Sequence, residues 1–347
     1  MTIDYEQISH AQNGLCPCVE SIGSILFGFT RYLMRFNKLD LNLLVALDAL
    51  LTERNITRAA ERVHLSQSAM SNALGRLREY FEDELLVQVG RKMELTPRAE
   101  TLQDAVRDVL VRIDTSIAAQ PEFDCAKSDR EFTIFMSDYS LSVLMPHVLA
   151  IAARQRSTVR FKLLPQIAAP SRALERGEAD LLIIPKAYCS PDHPTESLFE
   201  EGFVCAVWCD SNLARTGLTF ERYSSAGHVV MQPFESDQPS FESWFVQRFG
   251  LARRIEVSCY SFVALPFLVM GTELVATVHA RLARRMLPSL PLALLPVPLP
   301  MPVLEQVMQW HKYRTLDPGL VWLRVLMQQA SAAMNKDPAL QADTGQP

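Results

Sequence analysis

The 347-residue chain contains no apolar run of the about eighteen residues that a membrane-spanning helix needs, so no segment reads as a span and no membrane partner is expected. A secretory leader is not legible either. The mildly apolar stretch from Leu15 to Leu33 is broken by Pro17, Glu20, Gly23, Gly28 and Arg31, and it follows Asp4 and Glu6 rather than a basic region. Cysteine is sparse: Cys16, Cys18, Cys125, Cys189, Cys205, Cys209 and Cys259 make an odd set of 7 without a CxxC framework. That pattern points to reduced thiols in a cytoplasmic protein rather than to a disulfide scaffold. Cys16 and Cys18 lack a second cysteine pair to complete a zinc site, and no metal is expected. Basic charge is not in excess: 34 Lys and Arg face 39 Asp and Glu, a net charge of -5, so any contact with nucleic acid must come from a local patch. GxSxG, a Walker loop, GxGxxG and HExxH are all missing, which leaves an enzyme without its parts and no cofactor to expect.

What is present suits a soluble globular protein of about two domains: 48% apolar residues, 21% charged residues and a mean hydropathy of +0.05. Four zones follow one another. Residues 1–34 carry no periodicity and read as a disordered extension, with Met34-Arg35-Phe36 a serviceable alternative start. Residues 35–96 are dense in helical signals, and residues 97–120 form one long amphipathic helix. From 130 to 335 short apolar strands alternate with helices, the signature of an α/β domain with a largely parallel sheet. The polar tail 336–347 is expected to fray. The whole is an α+β multidomain chain.

Asp40 can cap a helix running to about Arg54, with Leu43, Leu44, Leu47, Leu50 and Leu51 on one face. A second short helix follows Asn55 or Thr57. After the turn His64-Leu65-Ser66, Ser66 can cap a third, whose buried stripe is Met70, Leu74, Leu77 and Phe81. The opposite face carries Gln67, Ser68, Ser71, Asn72, Gly75 and Arg78, with Arg76 at its border. It is small, polar and able to approach base edges in a major groove. Small Ala60 permits a close crossing, so the pair reads as a helix-turn-helix, although an ordinary helical hairpin has the same pattern. Leu85 to Val89 and Met93 to Leu95 can form two strands joined at Gly90-Arg91-Lys92, a cationic tip suited to phosphate or the minor groove. Thr96-Pro97 then opens the long helix.

The run Leu39-Asp40-Leu41-Asn42-Leu43-Leu44, the pair Ala59-Ala60, the segment Leu65 to Ser71, Arg76-Leu77-Arg78 and Leu95-Thr96-Pro97-Arg98-Ala99 resemble the LysR-type transcriptional regulators. Within that family the start from Met34 to Asp48 is similar to the nodulation-regulator branch, which includes regulators of aromatic and chloroaromatic breakdown. The resemblance implies a winged helix-turn-helix over 35–96, a linker helix over 97–120, and a two-lobed periplasmic-binding-protein-like effector domain over 130–335. It assigns DNA contacts to Ser66, Gln67, Ser68, Ser71, Asn72, Arg76, Arg78, Arg91 and Lys92. It also implies a homodimer or homotetramer on double-stranded promoter DNA, acting on RNA polymerase, and activation of aromatic catabolism or a flavonoid-induced response. In the linker helix Leu102, Val106, Val109, Ile113 and Ile117 approximate a heptad seam, for pairing across a dimer or for packing on the chain itself.

For the effector domain the sequence predicts lobe one at about 130–190 and 300–335 and lobe two at about 195–298. Helices are expected from Ser137, over Phe241 to Phe249, from Tyr260 to about Met270 and from His279. The proline-rich stretch from Leu292 to Val297 reads as the return crossing. Ligands of open α/β lobes lie at strand C-terminal ends. That rule nominates Ser137, Asp138, Tyr139 and Ser140 in lobe one, Pro185 and Lys186 near the crossing, and His228, Met231, Tyr260, Ser261, Thr277 and His279 in lobe two. Aromatic, hydroxyl and imidazole groups together suit a phenolic or hydroquinone-like inducer, with Tyr139 and Tyr260 facing each other across the cleft. A solute-binding protein would share this domain but not the DNA-binding end.

Overall fold

The computed structural model describes residues 40–90, 92–116, 122–166, 170–232, 240, 246–248, 250 and 253–340. The N-terminal extension, Arg91, Ile117 and most of the expected helix from Phe241 to Phe249 lie outside them. The chain divides into two compact units after Leu110.

In the first unit α1 (Leu41–Glu53), α2 (Ile56–Arg62) and α3 (Gln67–Phe81) are each started by a polar cap, namely Asp40, Asn55 and Ser66. A two-stranded antiparallel wing follows, β1 (Leu86–Val89) and β2 (Lys92–Leu95). The next helix, α4 (Pro97–Ser116), has 20 residues and a length of about 30 Å. Its first half is committed to the chain's own core. Val106 is buried, and Leu102 and Leu110 pack on the cluster of Leu47, Leu50 and Leu51. Arg107, 3% exposed, bonds to Asp48 Oδ1 at 2.7 Å and to the Thr52 hydroxyl. Leu102 and Val106 are therefore corrected from a dimer seam to an internal contact, because Arg107 fixes which face of α4 turns inward. Val109 stays exposed and Ile113 is half-buried.

The second unit holds two mixed five-stranded sheets, not the largely parallel one expected. Lobe one runs β4-β3-β5-β12-β6, from β3 (Glu131–Met136), β4 (Arg160–Leu164), β5 (Leu181–Pro185), β6 (Thr195–Glu201) and β12 (Leu304–Gln309). Strands β3, β4 and β5 are parallel, and β12 is antiparallel to both of its neighbours. Helices α5 (Asp138–Arg154) and α11 (Pro318–Met334) cover one face over Phe132, Ile134, Leu144, Leu323 and Met327. Lobe two runs β11-β7-β10-β8-β9, from β7 (Phe203–Trp208), β8 (Gly227–Met231), β9 (Arg254–Cys259), β10 (Val275–His279) and β11 (Leu292–Pro296).

Three expectations are corrected. Strand β6 belongs to lobe one, so the first crossing is at Gly202. Its sequence, TESLFEE, lacks the apolar alternation that marks a strand. Leu292 to Pro296 is an edge strand paired with β7, where proline is tolerated at the end, and the return crossing lies beyond it. The tail is packed as far as Leu340, which is 2% exposed in the core of lobe one.

A ring of alternating charges closes the end of lobe one where the strands begin. Arg130 meets Asp317 through two bonds of 2.7 Å and lies 3.6 Å from Asp180, and Arg314 reaches Asp180 at 2.6 Å. Asp317 also caps α11 through the amides of Gly319 and Leu320. Burial opposes its charge, yet Arg130 outweighs burial and holds the Asp317 carboxyl below its ordinary value. Asp317→Ala should destabilise this unit by about 2–4 kcal/mol, since it takes from Arg130 its two-bond partner, leaving only Asp180, and uncaps α11. Asp317→Asn, which keeps a capping oxygen, should lose less. Urea unfolding measures both, and a wild-type midpoint for the alanine variant would contradict the role.

Candidate functional sites

The reading helix is positioned by its own cap and by the turn before it. The Ala69 amide donates to Ser66 Oγ at 3.1 Å, and His64 takes a left-handed φ of 55° so that the Leu65 amide can reach Ala60 O at 2.9 Å. Met70, Leu74 and Leu77 then face inward, and Gln67, Ser68, Ser71, Asn72 and Arg76 are all exposed on α3. Arg78 is different. Its guanidinium donates to Glu84 O at 2.9 Å and Leu86 O at 3.0 Å and pairs with the Glu84 carboxylate, tying α3 to the wing. Arg78 is corrected from a DNA contact to a brace, because the Glu84 and Leu86 carbonyls on either side of Leu85 take its donors. Lys92 is exposed beside Gly90, which adopts a φ of 63° at the wing tip.

The nominated effector residues separate into three groups. The first is structural to lobe two. His228 lies at the start of β8, opposite Val275, not at a strand C-terminal end, and its Nε2 meets Tyr223 O at 2.8 Å. Thr277 is buried and shares a 2.8 Å bond with the Tyr223 hydroxyl. Met231 is half-buried against the lobe-two core.

The second group joins the lobes. Tyr139 is fully buried rather than open to a cleft. Its ring stacks on His279 at 3.8 Å and 6°, and its hydroxyl donates to Glu201 Oε2. Glu201 also accepts from Arg281 Nη1 at 2.9 Å and from the Arg281 amide at 3.1 Å, and Arg281 reaches Asn335 Oδ1 at 2.9 Å. Phe262 meets the edge of His279 at 4.7 Å. Beside this cluster Asp138 bonds Ser261. Ser137 caps α5 through the Ser140 amide at 3.1 Å, and Ser140 is buried near Gln306.

The third group is accessible. Tyr260 is 76% exposed, and it precedes a turn rather than opening a helix: α9 is only Leu265–Leu268, because Pro266 has no amide to continue an earlier start. Pro185 and Lys186 line a cavity of about 310 Å³ with Val303, Leu304 and Glu305 at the second crossing. Sequence reasoning missed Glu201, Arg281 and Gln306. Glu201 ends a strand that had no strand pattern, and Arg281 sits two residues beyond the nominated His279.

Burial pushes the His279 imidazole down to about 3, and burial, aided by Arg253 and Arg254 and opposed by the bond to Tyr223, pushes His228 down to about 4. Both titrate below their ordinary 6.5, so the unfolded chain takes up protons first as the pH falls. Stability of the second unit should be whole above about pH 6.5 and decline toward pH 4. His279→Phe should flatten that decline without abolishing it, because His228 remains. Thermal unfolding across pH checks this, and an unchanged slope would refute it. In the first unit Arg78→Ala should lower stability and leave the salt dependence of DNA binding nearly unchanged, whereas a phosphate contact would flatten the salt slope by about one unit.

Residues 41–100 match the family described as bacterial regulatory helix-turn-helix protein, lysR family, and residues 126–332 match the LysR substrate binding domain. The chain is 44% identical over 310 residues to nodulation protein D of Bradyrhizobium sp. (strain ANU 289), covering 88% of this chain and 91% of that protein. It is 46% identical over 300 residues to nodulation protein D 1 of Rhizobium leguminosarum bv. phaseoli, covering 86% and 95%. A solved structure of a probable transcriptional regulator from Pseudomonas aeruginosa superposes with a TM-score of 0.58 at 27% identity, over 85% of this chain and 98% of that one. A full-length OxyR variant from Pseudomonas aeruginosa shares the fold with a TM-score of 0.68 at 18% identity, over 89% and 99%. Among the described residues no helix is long and apolar enough to cross a membrane. The chain therefore belongs to the LysR family of bacterial helix-turn-helix transcriptional regulators, ligand-responsive proteins that are not enzymes.

Proposed function

We propose that this chain is a transcriptional activator of the nodulation-regulator type, working in the cytoplasm as a homodimer or homotetramer and answering an uncharged phenolic, flavonoid-like inducer. The observation that carries the reading is the likeness to nodulation protein D along nearly the full length of both chains, at 42–46% identity. The same observation favours this type over a regulator of aromatic catabolism.

Promoter DNA would be read by the exposed face of α3, through Gln67, Ser68, Ser71 and Asn72, with Arg76 and Lys92 on phosphates. Gly75 supports this. It lies on that face in mid-helix, where glycine costs about 0.5–1 kcal/mol, and beyond the local helix backbone a Cβ there would meet no described atom within 4 Å. Close approach by something outside the chain accounts for its use. The inducer would bind between the lobes, near Ser137, Asp138, Ser261 and exposed Tyr260, where hydroxyl partners and an aromatic face come together. It can act only by binding one arrangement of the lobes more tightly than another. The changed arrangement would pass through α4 to the DNA-reading heads and so to RNA polymerase.

Gln67→Ala or Ser71→Ala should cost about 1–3 kcal/mol of operator affinity per lost base contact and spare non-specific binding. Tyr260→Ala should abolish induction and leave operator binding nearly intact. A reporter assay paired with a gel shift, run with flavonoids, simple phenols and non-aromatic acids, tests both. Induction by the acids alone would overturn the ligand class, and joint loss of induction and DNA binding in Tyr260→Ala would overturn the division of labour.

A further inference from the structure

The N-terminus of α5, a helix of 17 residues, carries partial positive charge and favours an anion. The anion found there is the chain's own. Asp138 Oδ1 accepts from the Tyr139 amide at 2.9 Å. Asp138 Oδ2 reaches lobe two, where it accepts from the Ser261 hydroxyl at 2.7 Å and the Val263 amide at 3.0 Å. Ser261 Oγ is itself fixed by the Ala264 amide at 3.1 Å. Phe262 and Val263 pack against the core of lobe one, so the segment carrying these donors is seated across the lobe boundary. One carboxylate oxygen thus occupies the hydroxyl and the amide that lobe two offers at this point. Asp138 and Ser261 are both half-buried, which strengthens charge-assisted bonds while leaving the place reachable from solvent.

We propose that Asp138 is a built-in carboxylate ligand: it latches the two lobes in place of a free acid and makes the interlobe site reject carboxylate effectors in favour of uncharged, hydroxyl-bearing ones. An acid seeking the same donors finds them taken and meets a fixed negative charge. A phenol brings a hydrogen to donate, and the carboxylate has lone pairs left to accept it. The selectivity rests on the reading that the effector sits between the lobes. The latch does not, since its bonds are made between the chain's own residues.

The latch is tested in the full-length, effector-free protein by a double-mutant cycle of Asp138→Ala and Ser261→Ala, read by thermal unfolding. Each single change should lower the midpoint of the effector domain by about 3–8 °C, and the double should fall no further than the larger single. Added acetate should restore much of the loss in Asp138→Ala and leave wild type unmoved, because the emptied place still presents the Ser261 and Val263 donors. If Asp138→Ala does not fold, Asp138→Asn, Ser261→Ala and their double, each against wild type, supply the cycle. Additive losses, or acetate shifting every protein alike, would overturn the latch. Selectivity is read by calorimetry with benzoate and phenol as probes: Asp138→Ala should bind benzoate at least about tenfold more tightly than wild type and phenol more weakly, a change of at least about 1.4 kcal/mol for benzoate. Equal benzoate affinity in both proteins would overturn the selectivity. Coupling in the cycle with neither probe bound by either protein would overturn the interlobe effector site and leave the latch standing.

Discussion

The first turn of α5 is the constraint on which the sensing half of the chain depends. Two adjacent side chains leave it in different directions and both are satisfied by lobe two: Asp138 by Ser261 and Val263, Tyr139 by His279 and, through Glu201, by Arg281. Neither can change partner alone. Glu201 is 2% exposed, so separating the lobes takes Arg281 from a buried carboxylate, removes Ser261 and Val263 from Asp138, and unstacks His279 from the buried Tyr139 ring, while the Tyr139–Glu201 bond stays within lobe one. Such a junction has few intermediate positions. It stays closed or gives up a whole set of bonds, and in the function proposed above an effector acts by replacing that set.

The DNA-binding end follows a similar economy with a different outcome. Arg107 and Arg78 are spent inside the unit, one on Asp48 and Thr52 beneath α4, the other on the carbonyls of Glu84 and Leu86. The cost of fixing the helices and the wing falls on residues that face inward or along the seam. The outer face of α3 is thereby left to Gln67, Ser68, Ser71, Asn72 and Arg76, short or exposed groups with no structural duty beyond the cap. For a chain of net charge -5 this local arrangement matters more than overall charge.

Much of this was legible in the sequence wherever local chemistry decides the structure. Asp40 and Ser66 cap the helices they were expected to cap, the stripe Met70, Leu74 and Leu77 is buried, and strands alternate with helices through the effector domain. What was not legible is decided by partners distant in sequence. β6 is a strand because β12 pairs with it, and Glu201 is buried because Tyr139 and Arg281 reach it from either side. Val106 follows the heptad rhythm of a dimer seam, yet Arg107 beside it turns that face toward the chain's own core. Tyr139 has the composition of a ligand contact, but the position one residue into α5 points it inward. Of the residues nominated by type, Asp138, Tyr139, Ser261 and His279 meet where the lobes join, and His228, Thr277 and Met231 do not. Which of them face solvent depends on helix phase and on side chains from the other lobe, and a single linear pattern carries neither.

The central claim is that the junction around Asp138, Tyr139, Ser261 and His279 is where an effector changes the state of the regulator. Hydrogen exchange of the full-length protein, with and without a flavonoid that induces it in a reporter assay, addresses this directly. The account predicts that exchange changes first and most in the backbone at 137–141, 260–264 and 279–281, with the amides of Tyr139 and Val263 among those affected, while the core of α1 to α3 keeps its protection. Protection that changes only elsewhere in the effector domain, with these three segments unmoved at saturating flavonoid, would contradict it.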